Sequence, residues 1–573
     1  MKFPSFLPFL EWLPNYSRAD WRGDWPAGLT VGIMLIPQGM AYAMIAGLPV
    51  VYGLYAALLP QIVYGFLGTS RHLAVGPVAM DSLLVAAGLT GLALAGSEHY
   101  ISLALLLALM MGLLQWGMGM LRLGFLVNFL SRPVINGFTS AAALIIGLNQ
   151  LPHLLGIQSV RSNQIHTLLV GLVEAMPQLN LPTLVVGLVG IAGLVGLKRW
   201  APRIPAALTV VILSIVASWG LGFQDMGIRV VGEIPEGLPG WRMPVWTPSD
   251  IQTLLPTALT LALVAFMEAI SVAKAIEERH GYEVDANQEL RALGLANVVG
   301  SFFQSYPSTG GFSRTAVTEQ AGGKTPVTAW IAALVIALTL VALTPLFFHL
   351  PNAVLAAIVM VAVAGLVDVQ YPRVLWKQDR VEAGILGLTL VVTLALSLPL
   401  GIGTGVVLSL AYNVRRMMTP HVAVLGDVGG AYRNVTRFPQ AITVPEVLIV
   451  RYDGALHFAN QAHFRATMTS LTHSKGQALE VVILRADTIS YMDASARAML
   501  RALIDEWKPS GIRLCLAGAI GPVRDALASD GLIGNDQVCC HLNVQDAMME
   551  WRSPGTVPSL NQAMAQQHRS HGA

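Results

Sequence analysis

Eight stretches of this chain, 25–70, 99–121, 133–160, 175–197, 204–224, 251–267, 325–367 and 383–414, contain no Asp, Glu, Lys or Arg. A helix crosses the hydrocarbon core of a bilayer with about 20 apolar residues. Each stretch therefore suits at least one crossing, and the longest, broken by Pro or Gly, hold two. Hydrophobic residues make up 54% of the 573 and charged ones 12%, about half the roughly 25% of an ordinary globular protein. A wholly soluble enzyme is excluded, as are disordered and fibrous chains. The net charge of +2 and the lack of a basic patch give no reason to expect nucleic acid. The three cysteines, Cys515, Cys539 and Cys540, come late and lack metal-ligand spacing with histidines, so neither a disulfide framework nor a metal site is expected.

The apolar runs resolve into fourteen crossings near 28–46, 51–67, 76–95, 101–121, 126–149, 181–199, 205–222, 251–276, 287–303, 311–322, 326–348, 352–367, 381–398 and 400–418, with 163–178 as a surface helix. Lys and Arg concentrate in cytoplasmic loops. With the N-terminus inside, the inner loops collect Arg122, Lys198, Arg199, Arg203, Arg279, Lys324, Arg373, Lys377, Arg380, Arg415 and Arg416, and the outer ones only Arg161, Arg229 and Arg242. Both termini are thus expected in the cytoplasm. The tryptophan-rich lead (Trp12, Trp21, Trp25) shows no small-residue cleavage site, so no removable signal peptide is expected. The organisation read from these patterns is an N-terminal segment 1–27, a membrane body 28–420, a linker 421–442, a polar domain 443–555 and a disordered tail 556–573.

Seven crossings per half, an odd number, force the halves to be inverted. In such transporters the binding site is marked by short, Gly/Pro-interrupted segments at matching positions of the two halves. The third crossing opens with 71-RHLAVGPVA and the tenth, third in its own half, with 305-SYPSTGGFSR. Each reads as an extended stretch running into a helix start, a backbone tolerated at membrane depth only inside protein or around a cavity. Two facing helix N-termini would turn free N–H groups and positive dipole ends on one point, which suits an anion.

Arg314 lies about one turn into the second half-helix, a costly place for a cation without a partner or polar cavity. Its planar fork matches oxyanions; a salt bridge to Glu268 or Glu319 is the plainer alternative. Glu268 follows seventeen uncharged residues and is open to three roles: carrying a proton, forming a cation site, or holding Arg314. Lys274 is read as snorkelling to the inner interface, and Asp81 as structural. Gln38 and Tyr42, four apart beside Pro37 and Gly39, share a helix face that lines a cavity or bonds to a neighbouring helix.

The strings IPQGMAYAMIAGLP, VYGLYAALLPQIVYGFLGTSRHLAVGPVA and FFQSYPSTGGFSRTAVTEQAGGKTP resemble the SulP family of sulfate permeases and anion exchangers, and with the tail the likeness covers nearly the whole chain. The resemblance implies a polytopic α-helical membrane protein of 14 transmembrane segments in 7+7 inverted repeats. It implies a core of segments 1–4 and 8–11, a gate of 5–7 and 12–14, elevator motion between them, and a homodimer. It places the anion among Gln38, Tyr42, Val78, Ala79, Gly311, Phe312, Ser313 and Arg314. Glu268, in FMEAISVAKAIEE, resembles the carboxylate of proton-coupled members, whereas sodium-coupled bicarbonate members tend to have Asp in this region. Gly310-Gly311 is less bulky than in some members, which suggests wider substrate tolerance.

From about 443 short strands alternate with amphipathic helices: strands at 447–452, 455–459, 479–486 and 512–518, helices near 461–473, 494–508 and 522–530. This is a small α/β domain without a phosphate fingerprint or a nucleophile–base pair. It resembles a STAS domain, a regulatory or dimerising module with cytoplasmic binding partners. In 490-SYMDASARAML, Asp493 and Ser495 match the Asp-Ser-Ser-Gly of related regulators while Ala496 replaces the glycine, so Ser495 is a candidate phosphoacceptor; an ordinary helix cap is the preferred reading.

Together these features point to a secondary anion transporter in a bacterial-type inner membrane, with no cofactor and no enzymatic activity. Its expected partners are an inorganic oxyanion, sulfate first, together with protons, membrane lipid and a second copy of the chain. Bicarbonate or chloride exchange, dicarboxylate uptake and anion sensing with little flux are the alternatives. Nucleobase transport on the same architecture is disfavoured by Arg314 and by the tail.

Overall fold

The computed structural model of the protein describes residues 7–125, 131–158, 165–201, 205–533 and 537–557. The tail expected at 556–573, all but its first two residues, lies outside the described residues, as do Arg161 and Arg203. The chain divides into two compact units, Met1–Ser409 and Leu410–Ala573.

The first unit is helical. Among the described residues six helices are long and apolar enough to span a bilayer: Arg18–Ala46 (α1), Glu98–Met120, Arg132–Leu155, Leu181–Trp200, Pro248–His280 and the stretch Val327–Phe347. The remaining crossings are shorter helices, such as Ala206–Leu221 and Asn352–Ala364, or are built in pieces, as Val51–Ala56 with Leu59–Leu67. A helix at Ile165–Ala175 stands where a surface helix is expected, and an additional amphipathic one, Gln370–Gln378, precedes Arg380–Ala395. The unit has the fourteen-segment inverted-repeat architecture that the charge-free runs predict.

Local chemistry sets the long helices. α1 begins ten residues before its apolar run because Ser17 and Asp20 form a capping box, the Asp20 amide donating to Ser17 Oγ at 3.3 Å and the Ser17 amide to Asp20 Oδ2 at 3.0 Å. It ends at Gly47 in the left-handed region, φ 77°. Thr247 and Asp250 repeat the box at the head of Pro248–His280. From Leu35 to Ala46 every residue of α1 is buried, so its apolar character runs all the way round. Helices Leu181–Trp200 and Ala206–Leu221 instead expose Leu188, Val189, Leu213, Val216 and Trp219, an outer face for lipid.

Between these helices lie the two broken segments. Val75–Gly76 (β1) leads into Ala79–Leu89 (α2), and Thr309–Gly310 (β2) leads into Phe312–Gln320. For the site, Pro248–His280 is α3, Ala286–Phe302 is α4 and Phe312–Gln320 is α5.

The second unit is an α/β sandwich. Its strands are His421–Val428 (β3), Ala431–Asn434 (β4), Val447–Asp453 (β5), Val481–Arg485 (β6), Arg513–Ala517 (β7) and Val538–His541 (β8), in the order β4-β3-β5-β6-β7-β8. β3 is antiparallel to β4 and β5, and β5 to β8 run parallel. Helices Gln461–Lys475 (α6), Ala494–Trp507 (α7) and Gly521–Ser529 (α8) cover the face bearing Leu448, Val450, Leu484 and Leu516. Val544–Arg552 (α9) covers the face bearing Ile449, Ile483, Cys515 and Ala517, as the two-residue side-chain alternation of strands requires.

Three expectations change here. The stretch 421–442, read as linker, contributes β3 and β4; its charges hide a hairpin whose outer strand, β4, has one edge unpaired. The strand expected at 455–459 is a single bridge, Leu456 to Met492. Finally, β8 and α9 had no counterpart in the pattern reading.

Candidate functional site

The two broken segments meet. β1 and β2 pair antiparallel, Val75 opposite Gly310 and Gly76 opposite Thr309. The Gly311 amide donates to Ala74 O at 3.0 Å, and the Ala74 amide to Thr315 Oγ1 at 3.0 Å. The pair is anchored from behind: Asn297 of α4 receives the Ser308 amide on Oδ1 and donates from Nδ2 to Ser308 O, both at 2.9 Å, while Thr309 Oγ1 donates to Ala265 O of α3 at 2.8 Å. These bonds satisfy an extended backbone that hydrocarbon would otherwise penalise.

Each strand delivers a helix start with no side-chain cap. Val78 precedes α2 and Gly311 precedes α5, and neither supplies a capping group. The first amides of both helices therefore lack an intrahelical acceptor. Val78, Ala79 and Gly311 are buried.

Arg314 is 1% exposed. Its Nη1 donates to Pro77 O at 2.9 Å, so a residue of one half grips the strand end of the other. Among the described residues its Nε and Nη2 have no hydrogen-bond partner. The salt-bridge alternative finds no support among the described residues. Glu319 is engaged by Arg279 and His280, each at 3.0 Å, and no direct ion pair joins Arg314 to Glu268. A buried guanidinium with two free donors and no carboxylate in contact is a costly arrangement that an oxyanion would relieve.

Tyr42 and Glu268 are within electrostatic reach of Arg314. Gln38 is buried with its Oε1 unpartnered. Phe312 and Ser313 differ: they are exposed on the first turn of α5 while Arg314 and Thr315 of the same turn are buried. The Gly310-Gly311 pair leaves no open space. A side chain at Gly310 would meet Leu73 Cδ1 at 2.6 Å, and one at Gly311 would meet Arg314 Nη2 at 2.7 Å. The extra room inferred from those glycines is filled by Leu73 and the guanidinium.

Carboxylates with buried oxygens fall into two kinds in this unit. Asp24 accepts the Lys324 amide at 2.6 Å, the Thr325 amide at 3.1 Å and Thr325 Oγ1 at 2.5 Å. Glu289 accepts Tyr64 OH at 2.7 Å, Thr69 Oγ1 at 2.6 Å, and the Thr69 and Ser70 amides at 2.7 and 3.1 Å. Both are structural anchors. Asp81 is fully buried and, among the described residues, neither of its oxygens has a partner; Glu268 Oε2 has none either, and the two groups interact electrostatically. The structural role read for Asp81 lacks the bonds such a role requires. Tyr306, fully buried and 3.0 Å from Ser82 Oγ through its hydroxyl, lies within reach of both Asp81 and Arg314; pattern reading passed over it, although it sits in the same SYPSTGG string. Lys274 pairs with Glu277 at 2.7 Å and is half-exposed, apart from the site.

In the second unit Asp493 caps α7, Oδ1 accepting the Ala496 amide and Oδ2 the Phe458 amide, each at 2.8 Å. Ser495 is half-buried in the first turn of α7. Cys515 and Cys539 face each other across β7 and β8 and form a disulfide. Parallel pairing over 24 residues creates a proximity that no short spacing motif reports.

Residues 21–389 match the sulfate permease family and 438–547 the STAS domain. The chloroplastic sulfate transporter 4.1 of Arabidopsis thaliana is 37% identical over 92% of this chain and 80% of its own length. A probable sulfate transporter of Mycobacterium tuberculosis is 34% identical over 93% and 96%. Among solved structures, the murine Slc26a9 anion transporter in its inward-facing state superposes with a TM-score of 0.86 at 27% identity, covering 94% of this chain and 93% of that one.

Proposed function

The chain belongs to the sulfate permease family, and from that premise we propose that it takes up sulfate together with protons by an elevator-type movement of its core against its gate. It is an anion transporter and not an enzyme. The observation that carries the substrate reading is Arg314, buried without a carboxylate contact between two uncapped helix starts. One guanidinium and two helix N-termini, each worth about half a positive charge, sum to roughly the charge of a sulfate dianion. A monovalent anion leaves that field half unbalanced.

Glu268 and Asp81 supply the coupling. Ionised, the two carboxylates oppose the positive field in which the anion binds; protonated, they restore it. Anion and proton then favour each other's binding, as reciprocal linkage requires. Both termini are assigned to the cytoplasm of a bacterial-type inner membrane from the Lys/Arg asymmetry. The second unit is a regulatory or dimerising module; Ser495 remains a candidate phosphoacceptor beside the capping Asp493.

The test is radiolabelled sulfate uptake into proteoliposomes with an inward proton gradient, an inward sodium gradient or neither, competed by bicarbonate, chloride and fumarate. Concentrative uptake with the proton gradient alone supports the proposal. Accumulation driven by sodium overturns the coupling, and transport of only a competitor overturns the substrate.

A further inference from the structure

The face of the second unit's sheet beneath α9 carries a cluster that anion transport does not use. Cys515 stands opposite Cys539, and Ala517 opposite His541, in the parallel register of β7 and β8. Cys539 and His541 are two apart on β8 and so share a face. The two sulfurs and a ring nitrogen of His541 lie within 4.8 Å of one another. Cys540, between them, points into the opposite core with Leu514 and Leu516.

His541 is 1% exposed and, among the described residues, neither ring nitrogen has a hydrogen-bond partner. Buried polar groups are satisfied in the great majority of cases, so each exception calls for an explanation. We propose that Cys515, Cys539 and His541 form a binding site for one thiophilic divalent cation of the zinc type, open only when the two cysteines are reduced. Two thiolates and a neutral imidazole balance a divalent charge, which lets the complex sit in an apolar layer without a net charge. Sulfur and imidazole are the donors zinc prefers, and three protein ligands leave the fourth tetrahedral position for water. Cys539 is only half-buried and gives the ion a way in.

Opening the site takes two electrons and two protons to convert the Cys515–Cys539 disulfide to thiols. A phosphine reductant supplies the electrons and becomes the phosphine oxide, with water giving the oxygen and the protons. Each thiol then releases its proton to solvent as it ligates the metal. Oxidation and metal occupancy are thereby mutually exclusive.

The experiment uses the full chain in detergent, reduced with a phosphine and titrated with Co2+, whose thiolate charge-transfer absorption reports sulfur ligation directly. One equivalent is expected to develop the band, and Zn2+ to displace it. The band should vanish in Cys515→Ser and Cys539→Ser, weaken in His541→Gln and persist in Cys540→Ser. Because a core variant can fail to fold, the unmutated chain with its disulfide intact is the second measurement and should show no band. No band in the reduced unmutated chain, an equal band in the oxidised one, or a band lost in Cys540→Ser but kept in Cys515→Ser overturns the proposal.

Discussion

Gly311→Ala separates the position of the guanidinium from the helix that carries it. The φ of Gly311 is −99°, which alanine adopts freely, so no backbone strain accompanies the change. The added Cβ would stand 2.7 Å from Arg314 Nη2 and 2.8 Å from its Cζ, inside contact distance, and the guanidinium must yield. Its bond to Pro77 O, 2.9 Å, involves a charged donor and is worth about 1.5–3 kcal/mol. If the shift breaks that bond, sulfate affinity should fall by roughly 10- to 150-fold at 1.4 kcal/mol per decade. Gly76→Ala is the matched control: its Cβ would lie 3.5 Å from the same Nη2, an ordinary contact, and binding should stay within about threefold, the effect of roughly 0.5 kcal/mol. Equilibrium binding of radiolabelled sulfate to purified protein reads both variants, with thermal unfolding in detergent to show that both remain folded. Gly311→Ala binding within threefold of the unmutated chain, or an equal loss in Gly76→Ala, would refute the placement of the guanidinium.

Arg314→Lys keeps the charge but removes the fork and should lower sulfate affinity at least about tenfold, the loss of one charged hydrogen bond; isothermal titration checks it. Glu268→Gln should abolish proton-driven accumulation while preserving sulfate exchange, so accumulation at the unmutated level would remove Glu268 from the coupling step. Asp493→Ala deletes the cap of α7 and should cost about 1 kcal/mol of the second unit's stability, visible as a lower denaturation midpoint of that unit. A chain ending at 440 keeps β3 and β4 without β5 and should aggregate through its unpaired edge, whereas one ending at 419 should insert cleanly; size-exclusion profiles distinguish them.

The parts of the site that were legible in the sequence are those with a local signature. Pro77, Gly310 and Gly311 interrupt apolar runs, and Arg314 and Glu268 are charges where hydrocarbon excludes them, so each announces itself within a dozen residues. What escaped depends on partners distant in the chain. Asp24 and Glu289 resemble Asp81 and Glu268 until their ligands, some 220 to 301 residues away, are known. The hydroxyl contact of Tyr306 with Ser82 and the approach of Cys515 to Cys539 likewise follow from register rather than spacing. An edge hairpin carries polar residues just as a loop does, so residues 421–442 have the pattern of a linker. In α1 the apolar run marks the buried part and the capping box marks the start, ten residues earlier.

The pairing of β1 with β2 also bears on how the protein is made. Ala74 and its hydroxyl partner Thr315 are 241 residues apart in the chain. At about 5–20 residues per second, the ribosome needs roughly 10–50 s to supply the second after the first. Through that interval Val75, Gly76 and the start of α2 have no strand to pair with, at a depth where unpaired amides are costly. The first half must therefore wait in some other arrangement, shallower in the bilayer or sheltered by insertion machinery. The anion site comes into being late, as a single event, once the second half arrives.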